Sequence, residues 1–346
     1  LSLKKRQIII KKLENKNLEV KTITGNNSLI FSKKKNFDIS NLSIQEIIGR
    51  QEIPPLNKLL LENILDKNVL ITGAGGSIGK ELTMQIAKLC PNKLICLENS
   101  EHNLYKIQEE FYEQLKEKNS KLNFIPVLGS IQDLTFLETL FKQNKINTIF
   151  HAAAYKHVPL IEDNIIEGIK NNIFGTYNIC NLSVKHKIEN MILISSDKAV
   201  RPTNIMGVTK RISELICQAK SKIYDSTKFS IVRFGNVIGS SGSVIPKFNK
   251  QILKGGPVSV TDRKITRYFM TIKEAAGLVI QASALGKNGQ IFVLDMGKPI
   301  NIFSLAKKMI KLHGFKPTTN QFSNKDNHKI LIKFTGLRKG EKMYEE

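Results

Sequence analysis

The stretch Ser195-Ser196-Asp197-Lys198 sets hydroxyl, carboxyl and amine groups on consecutive residues directly after an apolar run. An adjacent carboxylate and ammonium can be no more than a surface ion pair. At the mouth of a ligand cleft, each charge instead tunes the other's proton affinity, and the two become a proton donor and a proton acceptor for one substrate. Ser196, Asp197 and Lys198 are therefore the candidate catalytic side chains. Metal chemistry is not expected: Cys90, Cys96, Cys180 and Cys217 are scattered without ligand spacing, and each sits in an apolar run as a buried free thiol would.

A second constellation lies upstream. The run Val69-Leu70-Ile71-Thr72-Gly73-Ala74-Gly75-Gly76-Ser77-Ile78-Gly79 spaces Gly73, Gly76 and Gly79 three apart between an apolar strand and a helical period. Without Cβ atoms the backbone can turn sharply, and a pyrophosphate can approach the amides and dipole at the helix start, around Ser77 and Ile78. About twenty residues on, Glu98 ends the next apolar run, where a carboxylate can accept from both hydroxyls of an adenosine ribose. No Arg follows it to accommodate a 2'-phosphate, so the expected cofactor is NAD; a solvated Glu capping the next helix is the plainer alternative. Ser130 and Ile131, after the third run, are placed at the adenine, and Ala152 and Ala153, after the fourth, leave room for the dinucleotide backbone.

These residues need a scaffold. From Asn68 onward apolar strands alternate with helical periods, the pattern of an α/β fold with a doubly wound parallel (Rossmann) sheet. Strands are expected at 69–72, 94–97, 124–127, 148–150, 191–194 and 230–233, and helices at 78–89, 102–118, 134–143, 165–185 and 206–219. Ligands bind beyond the C-terminal ends of such strands, which puts residues 196–198 at the crevice. A helix-like stretch at 7–15 and a short strand at 18–23 precede the sheet. The expected organisation is 1–45 as the remnant of a preceding domain, 46–66 as a linker, 67–235 as the NAD-binding domain, and 236–346 as a smaller, partly interleaved lobe for the substrate.

With 346 residues, 41% of them hydrophobic, the chain can bury a large core, which excludes disordered and disulfide-scaffold classes. No apolar run reaches the roughly 18 residues of a membrane span. A net charge of +23 invites a nucleic-acid reading. That charge is nearly all Lys, however, spread along the chain without interleaved aromatics, so no nucleic-acid partner is expected.

The run Asn204-Ile205-Met206-Gly207-Val208-Thr209-Lys210 puts Met206 and Lys210 one helical turn apart on one face. It resembles the extended short-chain dehydrogenase/reductase superfamily, whose Tyr and Lys, four apart, form a catalytic pair. The Tyr is replaced here by Met206, which cannot move a proton, whereas Lys210 can still bond the nicotinamide ribose. Further strings narrow the likeness: His151-Ala-Ala-Ala-Tyr-Lys-His157, Ser196-Asp-Lys-Ala-Val200, Arg233-Phe-Gly-Asn-Val237, Gly239-Ser-Ser-Gly-Ser243, Thr266-Arg-Tyr-Phe-Met-Thr271 and Gly336-Leu-Arg-Lys-Gly-Glu-Lys342. Over roughly residues 45–346 the chain resembles the long, membrane-anchored nucleotide-sugar 4,6-dehydratases of bacterial polysaccharide synthesis (the CapD/WbpM/PglF-like group).

The resemblance implies a UDP-N-acetylglucosamine 4,6-dehydratase with tightly held NAD, with Lys156, Asn236, Arg267, Arg338 and Glu341 as UDP-sugar ligands. It further implies missing N-terminal membrane helices, a place at the cytoplasmic face of the bacterial inner membrane, and subunit pairing through the long helices. Two departures stand out: Ser196 replaces a frequent Thr and Lys339 a frequent Pro. With the Tyr gone, the sugar's O4 proton falls to Asp197, Ser196 or an ordered water. Lys198 would take the C5 proton and Asp197 protonate the departing C6 hydroxyl. The competing readings are a UDP-hexose C4 epimerase, which needs no C5 base, and a non-catalytic NAD sensor, which needs neither the Asp197-Lys198 pair nor the arginines.

Overall fold

Strand β1 (Asn68–Thr72) is buried at every position from Val69 onward, and that is why its sequence is a continuous apolar run rather than an alternating one. It lies in a seven-stranded sheet with β2 (Lys93–Glu98), β3 (Asn123–Leu128), β4 (Thr148–His151), β5 (Asn190–Ile194), β6 (Lys228–Arg233) and β7 (Ile291–Val293). The spatial order is β7-β6-β5-β4-β1-β2-β3 and every pairing is parallel. The chain winds outward from β1 to β3 and then returns to the other side of β1. The reversal lies between β1 and β4, where a doubly wound sheet opens its ligand crevice. The structure, a computed structural model, describes residues 3–16, 18–24, 38–41, 47–48, 50, 52–114, 122–240, 243–320 and 328–346.

The flanking helices are α1 (Ser77–Ala87), α2 (Glu101–Gln114), α3 (Leu134–Asn144), α4 (165–185) and α5 (Ile205–Ile223). Leu70, Ile149, Met191, Leu193 and Ile231 of the sheet pack with Leu137, Phe141, Ile179 and Cys217 of the helices in one buried cluster. Burying each of the larger side chains contributes about 1.5–3 kcal/mol before the entropy of ordering is set against it.

Three elements depart from the expected pattern. Strand β7 is added at the sheet's edge, where Val293 is 72% exposed, so its three residues carry no buried-strand signature. Helix α1 stops short of Leu89, because Cys90 takes a left-handed φ of 53° ahead of Pro91, and this thiol is exposed rather than buried. Helix α4 carries a π-helical turn at Lys170–Phe174, which turns Asn171 and Asn172 into the interior. The expected helix end at 115–118 lies outside the described residues.

The chain divides into two compact units: 53–235 with 272–297 and 338–346, and 1–52 with 236–271 and 298–337. Of the residues expected to form a linker, 46–52 fall in the smaller unit and 53–66 in the larger. There the helix Asn57–Leu61 is anchored, the Leu56 amide donating to Gln281 Oε1 (2.8 Å) and Asn63 Nδ2 to the Ser283 carbonyl (2.8 Å). The described N-terminal residues, expected as the remnant of a preceding domain, group with the smaller unit. Helix Leu3–Leu13 and strand Lys21–Thr24 belong to the smaller unit, in which the Val20 amide donates to Leu312 O (2.9 Å). In that unit Val258–Val260 pairs with Lys329–Phe334, and Asn236–Ile238 with Phe269–Thr271. Among the described residues no helix is long and apolar enough to cross a membrane.

Candidate active site

At the end of β1 the backbone leaves no room for side chains. Gly73 has φ +66°, and a Cβ there would lie 2.6 Å from both the amide and Cα of Ala153, so the ends of β1 and β4 meet only because this residue is glycine. At Gly79 a Cβ would fall 2.1 Å from the Gly73 carbonyl, which lets the first turn of α1, with Ser77 and Ile78, start directly over the loop. Gly75, not singled out by spacing, is equally constrained: a Cβ would meet Glu98 Oε2 at 2.7 Å. Its amide instead donates to that oxygen (2.7 Å), while Glu98 Oε1 accepts from the amides of Asn99 and Ser100, both at 3.1 Å. Three backbone donors thus fix a buried, acceptor-only carboxylate in the turn before α2, and leave it further lone pairs.

Gly73, Gly76, Glu98, Ile131, Ala152 and Ala153 line one cleft of about 170 Å³. Six of the residues chosen from sequence for the cofactor therefore share a cavity, joined by Asn103, Gly129 and Asn171, which were not chosen. Ser130 is not among the lining residues; its hydroxyl accepts from the Gln132 amide (3.1 Å) within its own turn. Tight glycines, a helix start and an acceptor-only carboxylate fit the pyrophosphate and ribose of a dinucleotide.

His151, at the end of β4, ties this cleft to the helices behind it. Thr176 Oγ1 donates to the Asn172 carbonyl (2.6 Å) and so accepts from His151 Nε2 (3.0 Å), which leaves Nδ1 to accept from Thr72 Oγ1 (2.6 Å). Asn172 in turn donates to Thr209 Oγ1 of α5 (3.0 Å) and brackets the backbone of Tyr155. Burial, and then the charge of Lys210, push the His151 pKa down to about 3. The unfolded chain accordingly binds this proton and the folded chain does not between pH 6.5 and 3. Stability present above pH 6.5 is lost as pH falls through that window, with a slope of at most about 1.4 kcal/mol per pH unit from this group. Urea midpoints measured between pH 7 and pH 4 should fall less steeply in His151→Asn than in the wild type.

Strand β5 delivers the candidate catalytic residues. The amides of Ser195 and Asp197 donate to the carbonyls of Val232 (2.7 Å) and Phe234 (3.1 Å), continuing the pairing with β6 past the strand end into a 3-10 turn at Asp197–Ala199. Ser196 Oγ donates to Asp197 Oδ1 (2.9 Å) and accepts from the Lys198 amide (3.2 Å), while Lys198 Nζ lies 3.0 Å from the same Oδ1. Asp197 is only 7% exposed, and among the described residues its Oδ2 is buried with no hydrogen-bond partner. Lys210 joins the group from α5, its Nζ donating to the Ile194 carbonyl (2.6 Å) at the end of β5; burial pushes its pKa down to about 8. Met206, one turn earlier, is buried as well. Helix α5 can approach this closely because residue 207 is glycine: a Cβ there would sit 2.3 Å from the Lys198 carbonyl.

Under the turn lies a charged residue that sequence reasoning passed over. Glu214 is fully buried and accepts from Ser195 Oγ (2.6 Å), Arg233 Nε (2.7 Å) and Arg211 Nη1 (2.9 Å). Burial alone would raise its pKa, but these bonds hold it below the usual carboxylate range. The network ties α5 to the ends of β5 and β6.

Residues 69–346 match the family described as polysaccharide biosynthesis protein. The chain belongs to this family. It is 43% identical over 309 residues, 89% of the chain, to the capsular polysaccharide biosynthesis protein CapD of Staphylococcus aureus. It spans about half of that relative's length, 49%. It is 32% identical to a UDP-glucose 4-epimerase of Rickettsia rickettsii, with 81% of this chain and 77% of that protein covered. Among solved structures, DesIV of Streptomyces venezuelae, a dTDP-glucose 4,6-dehydratase with NAD bound, superposes with a TM-score of 0.66 at 19% identity, covering 80% of this chain and 87% of the other. At that identity the likeness speaks for the fold.

In this family member residues 338–346 strap the segment after β5. The Gly340 carbonyl accepts from Thr203 Oγ1 and Asn204 Nδ2, both at 3.0 Å, and Lys342 Nζ donates to the Val200 carbonyl (2.9 Å). Gly340 has φ +75°, and a Cβ there would lie 2.6 Å from that of Asn204. The strap also carries Glu345, whose Oε1 is 3.4 Å from Lys198 Nζ. Of the expected sugar ligands, Arg338 and Glu341 begin the strap in a shared turn, and exposed Lys156 follows β4, all in the larger unit. Asn236 and buried Arg267, whose Nη1 donates to the Thr266 carbonyl (2.7 Å), belong to the smaller unit. Among the described residues no group of three His, Cys, Asp or Glu side chains could hold a metal.

Proposed function

We propose that this chain catalyses the NAD-dependent 4,6-dehydration of UDP-N-acetylglucosamine to a UDP-4-keto-6-deoxy sugar. The observation that carries the reading is the Asp197 carboxyl: Oδ1 is tied to Ser196 and Lys198, and Oδ2 is buried with no protein partner among the described residues. A buried carboxyl oxygen left without a donor suits a proton donor awaiting a substrate atom. Family membership, the CapD likeness and the cleft lined by Gly73, Gly76 and Glu98 support the same reading.

Bound NAD supplies a hydride acceptor for C4 of the sugar and afterwards a hydride donor for C6. The chain's own residues handle the protons. Ser196 Oγ takes the O4 proton and passes its own to Asp197 Oδ1, leaving a 4-ketone that acidifies the C5 hydrogen. Lys198, as the free amine, removes the C5 proton. Asp197 gives its proton to O6, the C6–O bond breaks, and water leaves. Lys198 returns its proton to C5 once C6 has been reduced, so atoms and charge balance with water as the sole by-product. Lys210 orients the nicotinamide ribose, while Arg267, Arg338, Glu341, Asn236 and Lys156 bind the UDP-sugar.

Proton NMR of the chain incubated with UDP-N-acetylglucosamine tests this directly. A new C6 methyl signal is expected; an axial C4 hydroxyl would instead mark the C4 epimerase that the Rickettsia relative brings forward. That alternative leaves Lys198 and the buried Asp197 carboxyl without work. Arg267→Ala should raise the KM for the UDP-sugar about tenfold or more, the worth of a charged hydrogen bond, with NAD still in place. A collapse of the melting transition instead would assign that arginine to the fold.

A further inference from the structure

Lys198 is bracketed by two buried carboxylates drawn from distant parts of the chain. Asp197 Oδ1 lies 3.0 Å from its Nζ and Glu345 Oε1 3.4 Å. Asp197 and Glu345 are only 7% and 8% exposed. The other cations on the elements packed here are engaged elsewhere: Lys342 on the Val200 carbonyl, Arg201 on Glu346, and Lys210 on the Ile194 carbonyl. Glu345 reaches Lys198 because the strap is pinned at Gly340 and Lys342, so its carboxylate is delivered by a built contact.

We infer that Glu345 is a positioning residue that makes the Lys198 amine an effective base. The inference rests on the dehydratase reading and adds to it a residue that neither motif nor spacing identified. When Lys198 takes the C5 proton, Asp197 is already protonated and cannot balance the new ammonium. The Glu345 carboxylate, 3.4 Å away, holds that ammonium and compensates its charge. A carboxylate at this distance raises the amine's basicity, and burial strengthens the effect. Without it, C5 deprotonation slows while oxidation at C4 does not.

The test compares Glu345→Gln, Glu345→Asp and Glu346→Gln with the wild type, each carrying its bound NAD. Glu345→Gln should lower kcat about ten- to a hundredfold, with KM and NAD content unchanged. The isotope effect with substrate deuterated at C5 should grow and that with substrate deuterated at C4 should shrink. Glu345→Asp keeps the charge and should retain more activity than Gln, and Glu346→Gln, which alters the neighbouring pairs with Arg201 and Lys342 but not the contact with Lys198, should behave as wild type. A readout without substrate is the pH dependence of Lys198 acylation: its midpoint should lie lower in Glu345→Gln than in the wild type, where the neighbouring carboxylate makes the amine more basic. Unchanged kcat and isotope effects in Glu345→Gln overturn the inference, as does an equal loss in Glu346→Gln, which would mean that only docking of the strap matters. If wild type forms no C6 methyl product, the dehydratase reading fails first and takes this inference with it. An active wild type with an indifferent Glu345 sinks the inference alone.

Discussion

Asp197→Asn lowers kcat about a thousandfold, the scale of a lost general acid, while leaving NAD content, substrate KM and the melting transition close to wild type. The amide has the carboxylate's shape, so its oxygen can still accept from Ser196 Oγ and Lys198 Nζ, which now hold Oδ1 at 2.9 and 3.0 Å. What it cannot do is receive the O4 proton or give one to O6. The dehydration itself is lost, and binding is not. Stability should hold, because Oδ2 makes no hydrogen bond among the described residues and sits buried, so the fold gains little from this charge. Single-turnover rates, cofactor released on denaturation, and melting curves together check the three parts. A rate within tenfold of wild type would remove Asp197 from the chemistry.

The second large effect is on the cofactor cradle. Gly73→Ala must place a side chain at φ +66°, about 1–2 kcal/mol by itself, with Cβ 2.6 Å from the backbone of Ala153. The ends of β1 and β4 then have to part, and the Ala152 amide loses its 3.0 Å bond to the Thr72 carbonyl. The total should reach about 3 kcal/mol or more, with NAD affinity reduced about a hundredfold or beyond. Gly76→Ala is the informative contrast. Its φ is ordinary, −68°, and a Cβ would meet only the Gly73 carbonyl, at 3.3 Å. The fold should tolerate that methyl within about 1 kcal/mol, whereas a pyrophosphate lying against the loop would not. Urea midpoints and equilibrium dialysis with NAD separate the two variants. Equal NAD binding by Gly76→Ala and wild type would place the pyrophosphate elsewhere.

Much of this arrangement could be read from the residues. Strands buried on both faces are continuous apolar runs, so six of the seven sheet strands and the glycine turn stand out, and the crevice follows from the direction of winding. Strand β7 escaped because three half-exposed residues after Gly286 and Gly289 carry no period. The π-helical turn in α4 changes backbone bonding without changing composition, so the inward Asn171 and Asn172 had no signature. The interleaving of the two units is set by long-range packing that a linear scan does not contain. Glu345 lies in no motif and at no telling spacing; only folding brings it to Lys198. Gly75 was hidden among better-spaced glycines, although a close partner for Glu98 was a reason to look there.

The central claim is that hydride leaves C4 and returns to C6 of the same sugar while the protons pass through Ser196, Asp197 and Lys198. Supplying UDP-N-acetylglucosamine deuterated at C4, in ordinary water, and following the label by NMR tests it most directly. The account predicts that the deuterium appears in the C6 methyl group of the 4-keto product. Deuterium retained at C4 of an epimerised sugar, or lost altogether, would contradict it.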